Sequence, residues 1–306
     1  MIVAITGANG FIGQHLIRRF AERGWDARAV VRADFQRGRI EELFRGADVV
    51  VHAAGATRAP SIERLRASNV ALTERVVGAA KSSGVERVVF ISSLAAVGPA
   101  VSREHPVSET TPASPIEAYG RSKLDAESIV RSSGVAFTII RPAAVYGPGD
   151  RDFLELFRAA SHGFALHAGN RQQWISIIHA GDLATAIVSA ALTDEAVGRV
   201  YCLGNEEPVQ WAELFPLAAK CAGQRLRLDV EIPSWVVETG AQVGDVVAKL
   251  RGKAGLWTSG KTALAKPRAW VCSSALARRE LAVGPETPLE KGFCETYRWY
   301  REHGWL

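Results

Sequence analysis

Tyr119 and Lys123 stand four residues apart in "AYGRSKLDAE" (118–127), near the start of a segment with helical periodicity. On a helix that spacing puts a phenol and an ammonium on one face, about one turn apart. A neighbouring ammonium favours the phenolate and lowers its pKa. A tyrosine tuned in this way exchanges a proton nearer neutrality than an ordinary one at about 10. The same spacing also occurs in plain surface contacts, so the chemistry depends on what else the chain brings. The stretch "TGANGFIG" (6–13) spaces Gly7, Gly10 and Gly13 three apart, directly after a strand-like run and at the opening of a helix. That context suits a dinucleotide fingerprint: a tight turn, close approach of backbone to a pyrophosphate, and a helix N-terminus aimed at negative charge.

The elements that must position these groups are legible as alternating patterns. Short apolar runs at 2–6, 26–31, 48–54, 87–92, 136–141 and 199–203 read as buried strands, and 11–23, 61–81, 117–132 and 180–193 read as helices. The alternation predicts an α/β fold with a doubly wound parallel sheet, a Rossmann arrangement. Between the second strand and the third strong one lie only the 15 residues 33–47. A helix, a strand and a second helix need about twice that. The third strand of a 3-2-1-4-5-6 sheet is therefore expected to be missing, with 33–47 forming a loop plus one short helix. Past about 204 the character changes: a helix near 210–222, a strand near 226–231, a long helix near 235–250, a basic loop at 251–268 and two final helices. The expected organisation is a dinucleotide-binding domain of 1–146 with 179–204, and a small C-terminal α/β lobe of 147–178 with 205–306.

A chain of 306 residues that is 47% hydrophobic supports a large core. No apolar run reaches the roughly 18 residues of a membrane span, and no basic leader precedes the first strand, so no membrane partner and a cytoplasmic location are expected. Cys202, Cys221, Cys272 and Cys294 are widely separated, which suggests neither a metal site nor a disulfide framework. The net charge of +5 is dispersed, with no basic run interleaved with aromatics, so no nucleic-acid partner is expected.

Taken together, "TGANGFIG", "VVHAAG" (50–55), Asn69, "ISSLAAVG" (91–98), "YGRSK" (119–123), "RPAAVYGPGD" (141–150) and "IIHAGDLATAI" (177–187) occur in the order of the extended short-chain dehydrogenase/reductase superfamily, which the chain resembles over nearly its whole length. The resemblance implies that Tyr119 exchanges a proton with the carbinol oxygen. Lys123 would hold the nicotinamide ribose and depress the phenol, and a serine hydroxyl would polarise the carbonyl. Alignment on the sugar-epimerase pattern puts the serine position at Leu94, and alignment on the dihydroflavonol-reductase and hydroxysteroid-dehydrogenase pattern puts it at Ser93. Leucine has no hydroxyl, so the catalytic set is Ser93, Tyr119 and Lys123, with Ser92 capping the strand end. Cofactor contacts are implied for Gly7, Asn9, Gly10, Phe11, Ile12, Arg32, Ala53, Ala54, Gly55 and Pro142, besides Tyr119 and Lys123. No metal is implied.

Arg32 follows the second strand, where an acidic residue would bind the adenosine ribose; Arg37 is close behind, and a guanidinium there suits a 2'-phosphate. NADP is the expected cofactor and NAD the alternative, with Asp34 a candidate for part of the adenine pocket. Nucleotide-sugar members carry an arginine just before the landmark "ISIIHAGD"; this chain has Ile175 there, with Arg171, Lys261 and Arg268 as possible substitutes. The aromatics Phe153, Phe157, Trp174 and Trp257 would suit an apolar small molecule. His179 and Asp182 read as structural. The leading reading is an oxidoreductase interconverting a ketone and a secondary alcohol. The alternative is a nucleotide-sugar epimerase, dehydratase or reductase with bound NAD(P). A non-catalytic dinucleotide sensor is a third class, disfavoured because both Tyr119 and Lys123 are kept. The resemblance also implies a homodimer through 61–81 and 117–132.

Overall fold

The computed structural model describes residues 1–251 and 259–306. In chain order the first half runs β1 (Ile2–Thr6), α1 (Phe11–Glu22), β2 (Asp26–Val30), α2 (Arg32–Gln36), α3 (Ile40–Phe44), β3 (Val49–His52), α4 (Ile62–Arg66), α5 (Leu72–Ser82), β4 (Arg87–Ile91), α6 (Ala118–Ser132) and β5 (Ala136–Pro142). The second half runs β6 (Ala144–Tyr146), α7 (Leu154–Ser161), β7 (Phe164–His167), β8 (Trp174–Ile175), β9 (Ile177–His179), α8 (Ala180–Leu192), β10 (Val200–Leu203), β11 (Val209–Gln210), α9 (Leu214–Cys221), β12 (Leu228–Glu231), α10 (Ser234–Arg251), α11 (Ser259–Ala265), β13 (Ala269–Trp270), α12 (Ala275–Leu281) and α13 (Leu289–Glu302).

Six strands form one sheet in the order β10-β5-β4-β3-β1-β2, every pair parallel. β3 and β4 are buried at every position, as strands covered by helices on both faces must be. The order in which strands are added reverses between β1 and β3, so the crevice beyond their carboxyl ends is the topological switch point where α/β sheets bind ligands. Thr6 and His52 end those two strands in register.

As expected, the sheet has no third strand beyond β2 among the described residues, and β2 is its edge. The connection holds two short helices, α2 and α3, rather than the single one expected. Their apolar residues Phe35, Ile40 and Phe44 are buried against Val50, Val76 and Val88 and cover the sheet where a longer crossover would lie. The helix expected at 61–81 runs from Ile62 to Ser82, with a π turn at Ala67–Ala71 that joins α4 to α5 and centres on the buried Asn69.

α7, β7, β8, α9 and α13 pack around a second, aromatic core of Tyr146, Phe153, Phe157, Phe215, Phe293 and Tyr300. Phe153 and Phe157, expected near substrate, belong to this core and are buried in it. Trp257 and the first part of the basic loop lie outside the described residues; the later part of that loop contains α11. The cysteine expectation needs correction. Cys221 at the end of α9 is disulfide-bonded to Cys294 in α13. Packing of α9 on α13 brings together two cysteines 73 residues apart in sequence, which spacing alone does not reveal. Cys202 and Cys272 are free and buried.

Candidate active site

The fingerprint glycines form a cradle that no side chain could share. Gly7 has φ of +72°, and a Cβ there would lie 2.8 Å from the Ala54 backbone, so the turn after β1 touches the turn after β3. A Cβ on Gly13 would lie 2.2 Å from the Gly7 carbonyl oxygen, which requires glycine where α1 packs on the turn. Gly10 caps α1 in extended backbone without a side-chain partner, and Asn9 and Gly10 are exposed. The N-terminus of a 12-residue helix is thus open beside the switch point, with no acidic residue in its first turn. These features fit a dinucleotide pyrophosphate. Phe11 and Ile12 are half-buried behind the turn, Ala53, Ala54 and Gly55 follow β3, and Pro142 is buried at the end of β5.

The loop after β3 is held by a directional chain of hydrogen bonds. The Ala54 N–H donates to Thr6 Oγ1 at 3.2 Å, and the Thr6 hydroxyl donates to His52 Nδ1 at 2.7 Å. His52 Nε2 donates to Thr73 Oγ1 at 3.0 Å, and that hydroxyl donates to the Asn69 carbonyl at 2.5 Å. Each hydroxyl gives its one proton onward, so the histidine carries its proton on Nε2. Burial holds the His52 pKa down to about 3, with the Lys123 charge adding to the effect. The Asn69 amide accepts from Ala56 N and donates to Ala56 O and Ser122 Oγ, tying the loop to α6. The sequence marks Asn69 only as a landmark, and His52 carries no sequence signal of this role beyond its place in "VVHAAG".

Tyr119 sits in the first turn of α6. Glu117 caps that helix, accepting from Tyr119 N at 2.6 Å and Gly120 N at 2.5 Å. The structure brings the Ser93 side chain near the Tyr119 phenol. Burial pushes the phenol up to about 12, against a lowering effect of the Ser93 side chain. Ser93 Oγ also accepts from Ala95 N at 3.2 Å, capping a short 3₁₀ turn, Leu94–Ala96. Leu94 is buried among Val97, Val107 and Ala143. The two alignments therefore separate in space, with Ser93 beside the phenol and Leu94 in the core.

Lys123 lies one turn beyond Tyr119 and is buried. Its ammonium donates to the Ile91 carbonyl at 2.6 Å and stands 4.3 Å from the Phe90 ring centroid. Burial pushes its pKa down to about 7, opposed by Glu127. Glu127, one turn further along α6, was not anticipated. It receives Ser92 Oγ at 2.6 Å and the Arg141 guanidinium at 2.9 and 2.7 Å, all inside the protein. Ser92 is thus bonded to a buried carboxylate, while its N–H extends the ladder to Ile140. The fork-like arginine contact satisfies both carboxylate oxygens.

Arg32 begins α2 with an exposed side chain that makes no hydrogen bond or ion pair among the described residues; the Arg37 side chain likewise. Asp34 does not face the crevice alone. Its Oδ2 accepts from Val31 N at 2.9 Å, which commits it to capping α2. Ile175 is buried in β8, and Arg171 is paired with Asp229 at 3.0 Å. Trp174 is half-buried against the Leu94–Ala143 cluster, with the Arg103 guanidinium stacked 4.0 Å from its ring centroid. His179 caps α8 through Gly181 N, and Asp182 accepts from the Thr287 N–H and hydroxyl.

Comparison with known proteins agrees with this arrangement. The family model described as NAD dependent epimerase/dehydratase family matches residues 3–204. A ceramide reductase from Caulobacter vibrioides (strain NA1000 / CB15N) is 30% identical over 324 residues, covering 100% of this chain and 96% of its own length. A 4-hydroxy-2-methyl-3-oxo-4-farnesyl-3,4-dihydroquinoline-1-oxide ketoreductase from Stigmatella aurantiaca is 25% identical over 269 residues, 79% of each chain. MoeE5, solved in complex with UDP-glucose and NAD, shares the fold with a TM-score of 0.79 over 99% of both chains at 24% identity. The chain belongs to the NAD dependent epimerase/dehydratase family, and with it to the NAD(P)-dependent enzymes of the extended short-chain dehydrogenase/reductase type.

Proposed function

We propose that this protein is an NADP-dependent oxidoreductase that interconverts a ketone and a secondary alcohol on an apolar substrate of lipid character. The observation that carries the reading is the approach of the Ser93 side chain to the Tyr119 phenol, with Lys123 one helical turn away on α6. In reduction Tyr119 gives its proton to the carbonyl oxygen, while the Ser93 hydroxyl donates a hydrogen bond to the same oxygen as charge grows there. Lys123 holds the ribose hydroxyls and favours the phenolate that remains. The dinucleotide, when bound, supplies or accepts the hydride. Gly7, Asn9, Gly10, Phe11, Ile12, Ala53, Ala54, Gly55 and Pro142 surround it, and Arg32 takes a 2'-phosphate. The dinucleotide belongs to 1–146 with 179–204, and the substrate to 147–178 with 205–306.

Three observations favour an apolar substrate over a nucleotide sugar. A buried diphosphate needs its charges neutralised, yet Ile175 replaces the expected cation and Arg171 is engaged by Asp229. Trp174 offers an aromatic wall. The relative named a ceramide reductase aligns along the full chain, which puts a ketone on a ceramide-type lipid among the substrates to try.

The test is cofactor turnover. NADPH should be consumed one for one with a detergent-dispersed lipid ketone, and Tyr119→Phe should lower turnover about a hundredfold or more with little change in cofactor affinity. Activity within about threefold of wild type in that variant would sink the assignment. So would epimerisation of a UDP-sugar by tightly held NAD⁺ without net consumption.

A further inference from the structure

Half of the exposed large apolar side chains among the described residues, six of twelve, come from two short stretches that meet in one place. β7 and β12 form a two-stranded parallel sheet in which Phe164 pairs with Leu228 and Leu166 with Val230. Paired residues of neighbouring strands share a face, so these four point the same way. The alternate residues of β7, Ala165 and His167, point inward and are buried. The outward four are all exposed, and the chain then passes through Ile232 and Pro233 into α10, whose first turn exposes Trp235 at 69% and Val236 at 40%. Such a concentration of uncovered apolar area marks an interaction surface.

The charge of the same stretch of sequence selects the partner. Residues 225–268 hold eight Lys and Arg against four Asp and Glu, which accounts for four of the chain's five net positive charges. Arg225 and Arg227 are exposed at the entry to β12. Of the four acids, Asp229 is engaged by Arg171 and Glu238 by Lys266. An apolar face carrying an exposed tryptophan within a cationic segment matches the boundary of an anionic bilayer, where apolar side chains enter the acyl region and basic ones meet headgroups.

We propose that the face formed by Phe164, Leu166, Leu228, Val230, Trp235 and Val236 docks on an anionic lipid surface. The protein lies on the membrane and does not cross it. No helix among the described residues is long and apolar enough to span, and the expectation of no membrane partner, drawn from the lack of a spanning run, does not extend to surface binding. A lipid substrate would give this docking a purpose, and to that extent the inference draws on the proposed function.

The test needs no substrate. The full chain is floated with vesicles of phosphatidylcholine alone and of phosphatidylcholine with about 30% phosphatidylglycerol. Wild type should float with the anionic vesicles, less with neutral ones, and less as salt rises. Val230→Ser combined with Trp235→Ser should weaken vesicle binding about tenfold or more and leave the melting temperature and turnover of a water-soluble ketone unchanged. Leu192→Ser, an exposed apolar site elsewhere, should leave binding unchanged. Wild type that stays out of the floating fraction, or a double variant that binds like wild type, overturns the proposal. So does a dimer in solution that Leu228→Ser dissolves, because the face would then belong to a second copy. Flotation failing while NADPH turnover persists refutes the docking alone, and the reverse result refutes the oxidoreductase reading alone.

Discussion

A Cβ added at Gly120 would lie 2.2 Å from the carbonyl oxygen of Ala95. That contact sets how closely the first turn of α6 approaches the 3₁₀ turn capped by Ser93, and so how Tyr119 meets Ser93. Gly120→Ala must push the two apart, since the obstacle is backbone. Turnover should fall at least tenfold, because small misplacements of reacting groups are costly, and thermal stability should fall as well. Turnover close to wild type, measured beside a melting curve, would show that the spacing is not critical.

Removing the Glu127 carboxylate leaves Arg141 buried without its partner and Ser92 without its acceptor. Breaking one side of a buried pair costs about 3–5 kcal/mol. Glu127→Leu should therefore lower the urea midpoint severely, and Glu127→Leu with Arg141→Leu should recover part of the loss. A double variant no more stable than the single would show that the pair's charge was not the issue.

The Lys123 pKa is held down to about 7 by burial, whereas in the unfolded chain it returns to about 10.4. Between those values the unfolded state binds more protons, so this group makes stability rise with pH, by roughly 1.4 kcal/mol per unit at most. Above about pH 8.5 the buried thiols of Cys202 and Cys272, whose pKa values are raised by burial, act in the opposite direction. The informative quantity is the difference between wild type and Lys123→Met. The unfolding free energy of wild type should climb more steeply from pH 7 to 8.5 than that of the variant, and parallel curves would contradict the depressed lysine.

Arg32→Asp should reverse a preference for NADP over NAD. A hydrogen bond to a charged group contributes about 1.5–3 kcal/mol, or about ten- to a hundredfold in affinity, and the new carboxylate repels phosphate while accepting from ribose hydroxyls. The ratio of kcat/KM for NADPH to NADH should drop at least tenfold, and Arg37→Ala should do less. An arginine that only stacks on adenine predicts equal losses and an unchanged ratio.

We expect a homodimer through α4, α5 and α6. Arg66 pairs with Asp125 at 2.5 Å across these helices, and Arg75 turns back onto Phe35, so two of the arginines that would solvate this face are engaged within the chain. Sedimentation at micromolar concentration should give twice the 33.0 kDa chain mass, and Ala71→Arg should convert it to a monomer. A wild-type protein that sediments only as a 33.0 kDa species is the contrary result.

Much of the fold was legible because its signals are local. Six strand runs and four helices follow from short-range hydrophobic periodicity, and the missing edge strand follows from the length of 33–47. The spacing of Gly7, Gly10 and Gly13, and of Tyr119 and Lys123, reports backbone geometry within a single turn or helix. What lay beyond reach depends on which residues meet from distant parts of the chain. Ser93 and Leu94 are adjacent, and only the packing of the 3₁₀ turn on the core decides which of them faces Tyr119. Cys221 and Cys294 meet because α9 packs on α13. Phe153 and Phe157 are aromatic wherever they lie, and only the packing of the second core determines that they are buried. Glu127 and His52 are ordinary residues in sequence, and they become organising groups because Ser92, Arg141, Thr6 and Thr73 converge on them from other elements. Sequence by itself determined the repeating backbone plan and the residue types that can do the chemistry; tertiary structure decided their partners and their exposure to solvent, since hydrogen bonding and desolvation are set by neighbours that one-dimensional spacing does not contain.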